Sequence, residues 1–210
     1  MTINRQQPPP IVDAVNFNLQ LKPYQSYTLR NGVPVYAVNA GAEEVIQFEW
    51  VFFAGNSQEE QNLVAATTNF LLRNGTTKKT AFQLNEHFEY YGAYVNRACY
   101  NETATISLHC LNKHVGELLP VVKEMITEST MPSEELAIYQ QNMKQRLKVS
   151  LKKSDFVAGR LIDTYLYGEK HPYGKYSSAE DFDALERDQL LHFYNQYYTQ
   201  GKLMLFGYFK

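Results

Sequence analysis

Residues 61–82, QNLVAATTNFLLRNGTTKKTAF, decide how this chain is read. Leu63, Val64, Ala65, Phe70, Leu71 and Leu72 leave no wholly polar face, so the segment reads as a buried helix over Asn62 to Arg73. Asn74-Gly75 closes it, because Asn and Gly adopt the left-handed conformation of a helix C-terminus at little cost. A second helix starts at Thr80, covers Ala81 to Tyr91 and stops at Gly92.

Working outward, Tyr27-Thr28-Leu29 and Val33 to Val38 flank Asn31-Gly32, the pattern of a hairpin. Val45 to Phe53, VIQFEWVFF, alternates and then runs apolar, as in a strand buried on both faces at its end. Downstream, Tyr94 to Ala98 and Glu102 to Leu111 form a strand pair. In the second of these, Thr103, Thr105, Ser107 and His109 alternate with Ala104, Ile106, Leu108 and Cys110, giving one polar and one apolar face. Helical spacing follows over His114 to Ser129, Glu134 to Lys152, Val157 to Tyr167 and Asp183 to Tyr197, and Leu203 to Phe209 reads as a last strand. Strands and helices are grouped, which predicts an α+β fold: an antiparallel sheet with helices layered on one face. Pro8-Pro9-Pro10 makes residues 1–15 an extended arm, packed on another surface or disordered. Residues 16–210 are expected to form a single domain, the N-terminal one of a longer two-domain protein, since the chain ends just after a strand.

Composition narrows the functional classes. A net charge of −2 argues against nucleic acid and against an acidic membrane surface. No apolar run approaches the roughly 20 residues that span a bilayer. MTINRQQPPP has no apolar leader, and Cys99 and Cys110 form no C-x-x-C. A soluble, cytoplasmic protein is expected, with a single disulfide left open. The 16 Tyr and 12 Phe suit large, partly wet interfaces as well as a core.

Six landmarks occur in order: Asn31-Gly32-Val33, Val51-Phe52-Phe53-Ala54-Gly55-Asn56, Asn74-Gly75-Thr76 with Lys78-Lys79-Thr80, Tyr91-Gly92-Ala93-Tyr94-Val95-Asn96, Asn101-Glu102-Thr103 and His171-Pro172-Tyr173-Gly174. Each is weak alone. In this order they resemble the pitrilysin/insulinase family, the zinc peptidases with an inverted H-x-x-E-H motif. In that family the motif lies just before a Gly-Thr, here Gly75-Thr76. The five motif positions are then Ala66, Thr67, Thr68, Asn69 and Phe70, and the family's third ligand, a Glu, falls at Arg146. The resemblance also implies paired α+β domains closing like a clamshell around an unfolded peptide.

Ala66 and Phe70 cannot ligate a metal, Asn69 cannot take a proton, and the cation of Arg146 would repel zinc. No catalytic residue and no metal ligand is expected; Ala66, Asn69, Phe70 and Arg146 are the degenerate positions. Arg146 is expected beside Asn69 and Phe70, its guanidinium paired or stacked on Phe70. Gln83-Leu84-Asn85-Glu86-His87 is a near miss that keeps one good ligand and lies after the Gly-Thr. Glu102, Asn69 and Arg146 are candidates to bind peptide. His171 reads as ordering its turn, and His109 and His114 pair with no carboxylate pattern. Lys144, Arg146, Lys148, Lys152 and Lys153 form a basic stretch, either a solvated face or a surface for an acidic partner.

The resemblance therefore implies a non-catalytic subunit or half of a pitrilysin-like metallopeptidase, inactive by itself. It would form part of a peptide-binding chamber with an active zinc peptidase partner. No cofactor is expected in this chain, and zinc only in that partner. An active zinc endopeptidase with unrecognised ligands, and a scaffold or binding module, remain as alternatives.

Overall fold

In the computed structural model, residues 20–40, 43–199 and 201–207 are described. The expected arm over residues 1–15 lies outside them. Strand β1 (Gln25–Thr28) turns into β2 (Pro34–Asn39) with Thr28 opposite Pro34. Gly32 supplies the positive φ, 83°, that the turn requires. Strand β3 (Val45–Phe52) follows, then helices α1 (Val64–Leu71) and α2 (Ala81–Tyr90). Helix α1 is shorter than Asn62 to Arg73 because Leu63 sits in the left-handed region at φ 75°. Its first N–H groups are instead capped from outside the helix by Glu59. Thr80 and Gln83 cap α2 reciprocally.

Next come β4 (Tyr94–Cys99), β5 (Ala104–Leu111), α3 (Val115–Thr127), α4 (Ser133–Ser150) and α5 (Ser154–Tyr167). The expected final helix over Asp183 to Tyr197 starts later, as α7 (Arg187–Tyr197), and a short helix that was not expected, α6 (Ala179–Asp183), precedes it. Two capping boxes, Ser178 with Asp181 and Glu186 with Gln189, start the two helices separately. Strand β6 (Gly201–Gly207) returns to the sheet.

The sheet order is β1-β2-β6-β3-β5-β4. Its ladders are antiparallel except β2 with β6, which is parallel because β6 arrives from the helical layer and not from a hairpin. The chain is thus α+β, as the grouped pattern predicts. Ile46, Phe48, Phe52, Ile106 and Leu108 of the sheet pack with Leu71, Leu72, Leu84, Phe88, Leu118, Val122, Met125 and Leu190 of the helices in one core. Helix α1 lies between β4 and β5 on one side and α7 on the other. The polar face of β5 is less open than alternation suggests: Thr105 and Ser107 are buried too. Both are small, and their cross-strand neighbours are Val51 with Ala98 and Glu49 with Asn96.

Behind α1, Gly75 has φ 146°, and a Cβ there would lie 2.9 Å from Pro132 Cγ. The Thr76–Lys79 turn is tied to α3: Thr76 Oγ1 donates to Glu124, and Lys79 Nζ lies 2.7 Å from Glu124 Oε2. Burial alone would raise the Glu124 carboxyl. The bonds from Lys79 and Thr76 and the nearby lysine charges hold it below its usual range.

Candidate functional site: the degenerate metal helix

Asn69 is the residue that the resemblance sets at the position of the family's Glu. It is 2% exposed, and every part of its amide is bonded within the domain. Nδ2 donates to the carbonyls of Ala98 (2.9 Å) and Thr105 (3.4 Å), and Oδ1 accepts from the Tyr198 hydroxyl (3.1 Å). One side chain thereby joins α1 to β4, β5 and the end of α7. A carboxylate has acceptors only, so at this place it would face two carbonyl oxygens without a proton to offer. Asn69 is a structural tie, buried away from any peptide.

Phe70, which the resemblance sets at the second His position, is 38% exposed. Its ring lies 4.6 Å from that of Tyr139 on α4. On it sits a guanidinium, 4.5 Å from the ring centroid, and the residue is Arg97 of β4, not the expected Arg146. Arg97 also donates to the Phe70 carbonyl and to Asn74 Oδ1 (3.3 Å). Burial, with the neighbouring Arg73 charge, draws the Arg97 guanidinium down to about 10, so it remains a cation at neutral pH. Arg73 itself donates to Asn85 Oδ1 (2.6 Å) and to the Val95 carbonyl (3.1 Å).

Arg146 is exposed on α4, two turns beyond Tyr139. Exposure removes the need for the partner that a buried guanidinium would require. Burial raises the Tyr139 hydroxyl, and the charges of Arg146 and Arg97 act against that rise. Phe70, Tyr139 and Arg97 are therefore gathered at one place, with Arg146 on the same helix as Tyr139. The sequence reading missed Arg97. Its signal was a cation at the strand position shared by Val95 and Cys99, on the face that meets α1.

These residues do not fit a zinc ion. Ala66 and Phe70 offer no donor, the Asn69 amide is committed to backbone and Tyr198, and a guanidinium covers the Phe70 ring. Among the described residues no group of three or more His, Cys, Asp or Glu is placed to hold a metal. In the near-miss segment, Gln83 caps α2 and His87 Nε2 lies 3.2 Å from the Glu117 carbonyl.

Glu102 is exposed at the β4–β5 turn but is already engaged. It accepts from Ser57 Oγ (3.2 Å) and from the Tyr173 hydroxyl, joining the turn to the His171–Gly174 loop. Inside that loop Tyr173 N donates to His171 Nδ1 (3.2 Å), and the His171 ring stacks on Tyr167. Glu59, a second residue unforeseen in the sequence, accepts from Ala65 N (2.9 Å) and Leu63 N (3.2 Å) and faces Lys175 Nζ (3.5 Å). Burial raises its carboxyl.

No protein-family model matches the chain. An uncharacterized zinc protease of Rickettsia felis is 22% identical over 194 residues, covering 90% of this chain and 45% of that protein. The mitochondrial-processing peptidase subunit beta of Neurospora crassa is 25% identical over 193 residues, covering 87% of this chain and 39% of the relative. The chain thus spans less than half the length of these curated relatives. Among solved structures, the inactive domain of a peptidase M16 from Pseudomonas fluorescens superposes with a TM-score of 0.82 at 23% identity, covering 90% of this chain and 47% of that one. In fold and in sequence the chain is thus similar to pitrilysin/insulinase-type peptidase domains, without an H-x-x-E-H before its Gly75-Thr76.

Proposed function

We propose that the chain is a non-catalytic half or subunit of a pitrilysin-type zinc metallopeptidase, completing a peptide-binding chamber opposite an active partner. The observation that carries this reading is Asn69. The position of the catalytic Glu has become a fully bonded amide, while the domain around it is retained. A helix kept at full packing without its chemistry fits a wall better than an enzyme. Strand β4 supports the peptide-holding part: it is the last strand of the sheet, so one row of its backbone groups faces outward. An extended peptide can add to such an edge through main-chain hydrogen bonds.

The same reading includes a second domain of similar size, in this chain's continuation or in the partner, since the relatives are more than twice as long as the matched part. It assigns zinc to the partner alone. A cytoplasmic setting belongs to it as well, on the free thiols of Cys99 and Cys110. No helix among the described residues is long and apolar enough to cross a membrane.

The test is reconstitution with a family member that carries an intact H-x-x-E-H. Peptide cleavage is expected from the mixture and not from this chain, with no stoichiometric zinc in this chain alone. Chelator-sensitive cleavage by the isolated chain, with about one zinc bound, would establish an active peptidase instead. No association with any such partner would leave the scaffold reading.

A further inference from the structure

A cavity of about 780 Å³ opens between α4, α5 and the segment leading into α6. That volume lies in the range of sites that hold small ligands or short peptide segments. Leu147, Leu151 and Tyr176 give it apolar walls, and Lys144, Lys148 and Arg160 give it cations against the single carboxylate of Glu180. Lys144 is already paired with Asp183. Lys148 is exposed and has no ion pair among the described residues.

Arg160 is the most constrained of these. Its guanidinium lies 4.3 Å from the Tyr176 ring centroid and 5.3 Å from that of Phe156. One nitrogen, Nη2, is fixed on the Ser177 carbonyl, and Nη1 is covered with no hydrogen-bond partner among the described residues. The ring contacts hold the charge in place at low entropic cost. A cation so fixed, with no ion pair among the described residues, leaves a donor to be satisfied by a ligand. Helix α5, which presents it, has no buried residue.

We infer that this cavity binds an acidic polypeptide segment, with a carboxylate drawn to Lys148 and Arg160 and neighbouring apolar side chains against Leu147, Leu151 and Tyr176. The inference rests on the peptide-holding reading above and names the class of peptide held. Apolar walls supply contact area, and the fixed cations select charge and register. Asn69 and Phe70 do not line the cavity, whereas Gln145 and Leu147, on either side of Arg146, do.

The experiment uses the whole chain and two labelled peptides, one alternating Glu with Leu and one alternating Lys with Leu, followed by fluorescence anisotropy. The acidic peptide is expected to bind at least about tenfold more tightly, with an advantage that shrinks as salt rises. Lys148→Glu, at an exposed position that folding tolerates, should weaken the acidic peptide about tenfold and favour the basic one. Arg160→Lys keeps the charge but loses the planar stacking, and should weaken binding less. Equal binding of both peptides, unchanged by Lys148→Glu, would overturn the cavity assignment while sparing the peptide-holding reading. Failure of either peptide to bind, together with no effect in reconstitution, would sink both. A dimer in sedimentation that Leu151→Asp dissociates would show that a second copy covers this face, and the proposal would fall.

Discussion

Helices α1 and α5 are opposites. Helix α1 buries Val64, Ala65, Thr67, Thr68, Asn69 and Leu71 within eight residues. Helix α5 runs for 14 residues and buries none, leaving Leu161, Ile162, Tyr165 and Leu166 in solvent. The helix that carries the chemistry in the resembling family has here become packing. The helix that packs least presents rings, apolar side chains and a fixed cation. Absence of ligating groups and presentation of an exposed surface are therefore separate properties of separate helices. A domain can lose the first without the second, because burial holds α1 whether or not it bears ligands.

Four measurements would break or sharpen that contrast. The largest effect is expected from Leu71→Ala, which opens a cavity in the fully buried centre and should cost about 2–5 kcal/mol in denaturant unfolding. A loss under about 1 kcal/mol would mean that α1 is not the keystone described. Asn69→Asp comes next. It keeps the size but sets a carboxylate against the carbonyls of Ala98 and Thr105, for about 1–3 kcal/mol. If this variant is as stable as the parent, the amide tie is not what fixes α1 to the sheet.

A third effect depends on pH. Glu124, which holds the turn after α1, has its carboxyl below the usual 4.5 in the folded state. A depressed carboxylate contributes stability that is present above the unfolded value and lost as pH falls through the folded one. The melting temperature should thus drop on acidification from about pH 6 to about pH 3, and drop less in Glu124→Gln. Parallel pH profiles for the two proteins would contradict the role given to this carboxylate. The smallest effect is expected on α5, where Ile162→Ser should change stability by no more than about 0.5 kcal/mol. A large loss there would show that α5 has a core face after all.

Much of the architecture was legible before any coordinates. Asn31-Gly32 placed the first hairpin and Gly92 ended α2, because these residues act through local backbone geometry. Helix α1, by contrast, stops at Leu71, ahead of Asn74-Gly75, and Gly75 takes φ 146° beside Pro132 and not a left-handed cap. The loss of the metal ligands was equally plain, since Ala66 and Phe70 have no donor wherever they lie. Helix α6 and the late start of α7 were missed because Ser178 with Asp181 and Glu186 with Gln189 were not weighed as helix-starting caps.

Sequence alone determined the element order apart from α6, the α+β class and the absence of ligating groups at the motif, all consequences of local periodicity and side-chain chemistry. Which residues fill the former site was decided only by tertiary structure. Arg97 is 27 residues from Phe70 and Tyr198 is 129 from Asn69, and no spacing rule links them. Long-range strand pairing and the return of α7 bring them together. There, the requirement that every buried donor find an acceptor, and every buried cation a π-face or carbonyl, selected the partners.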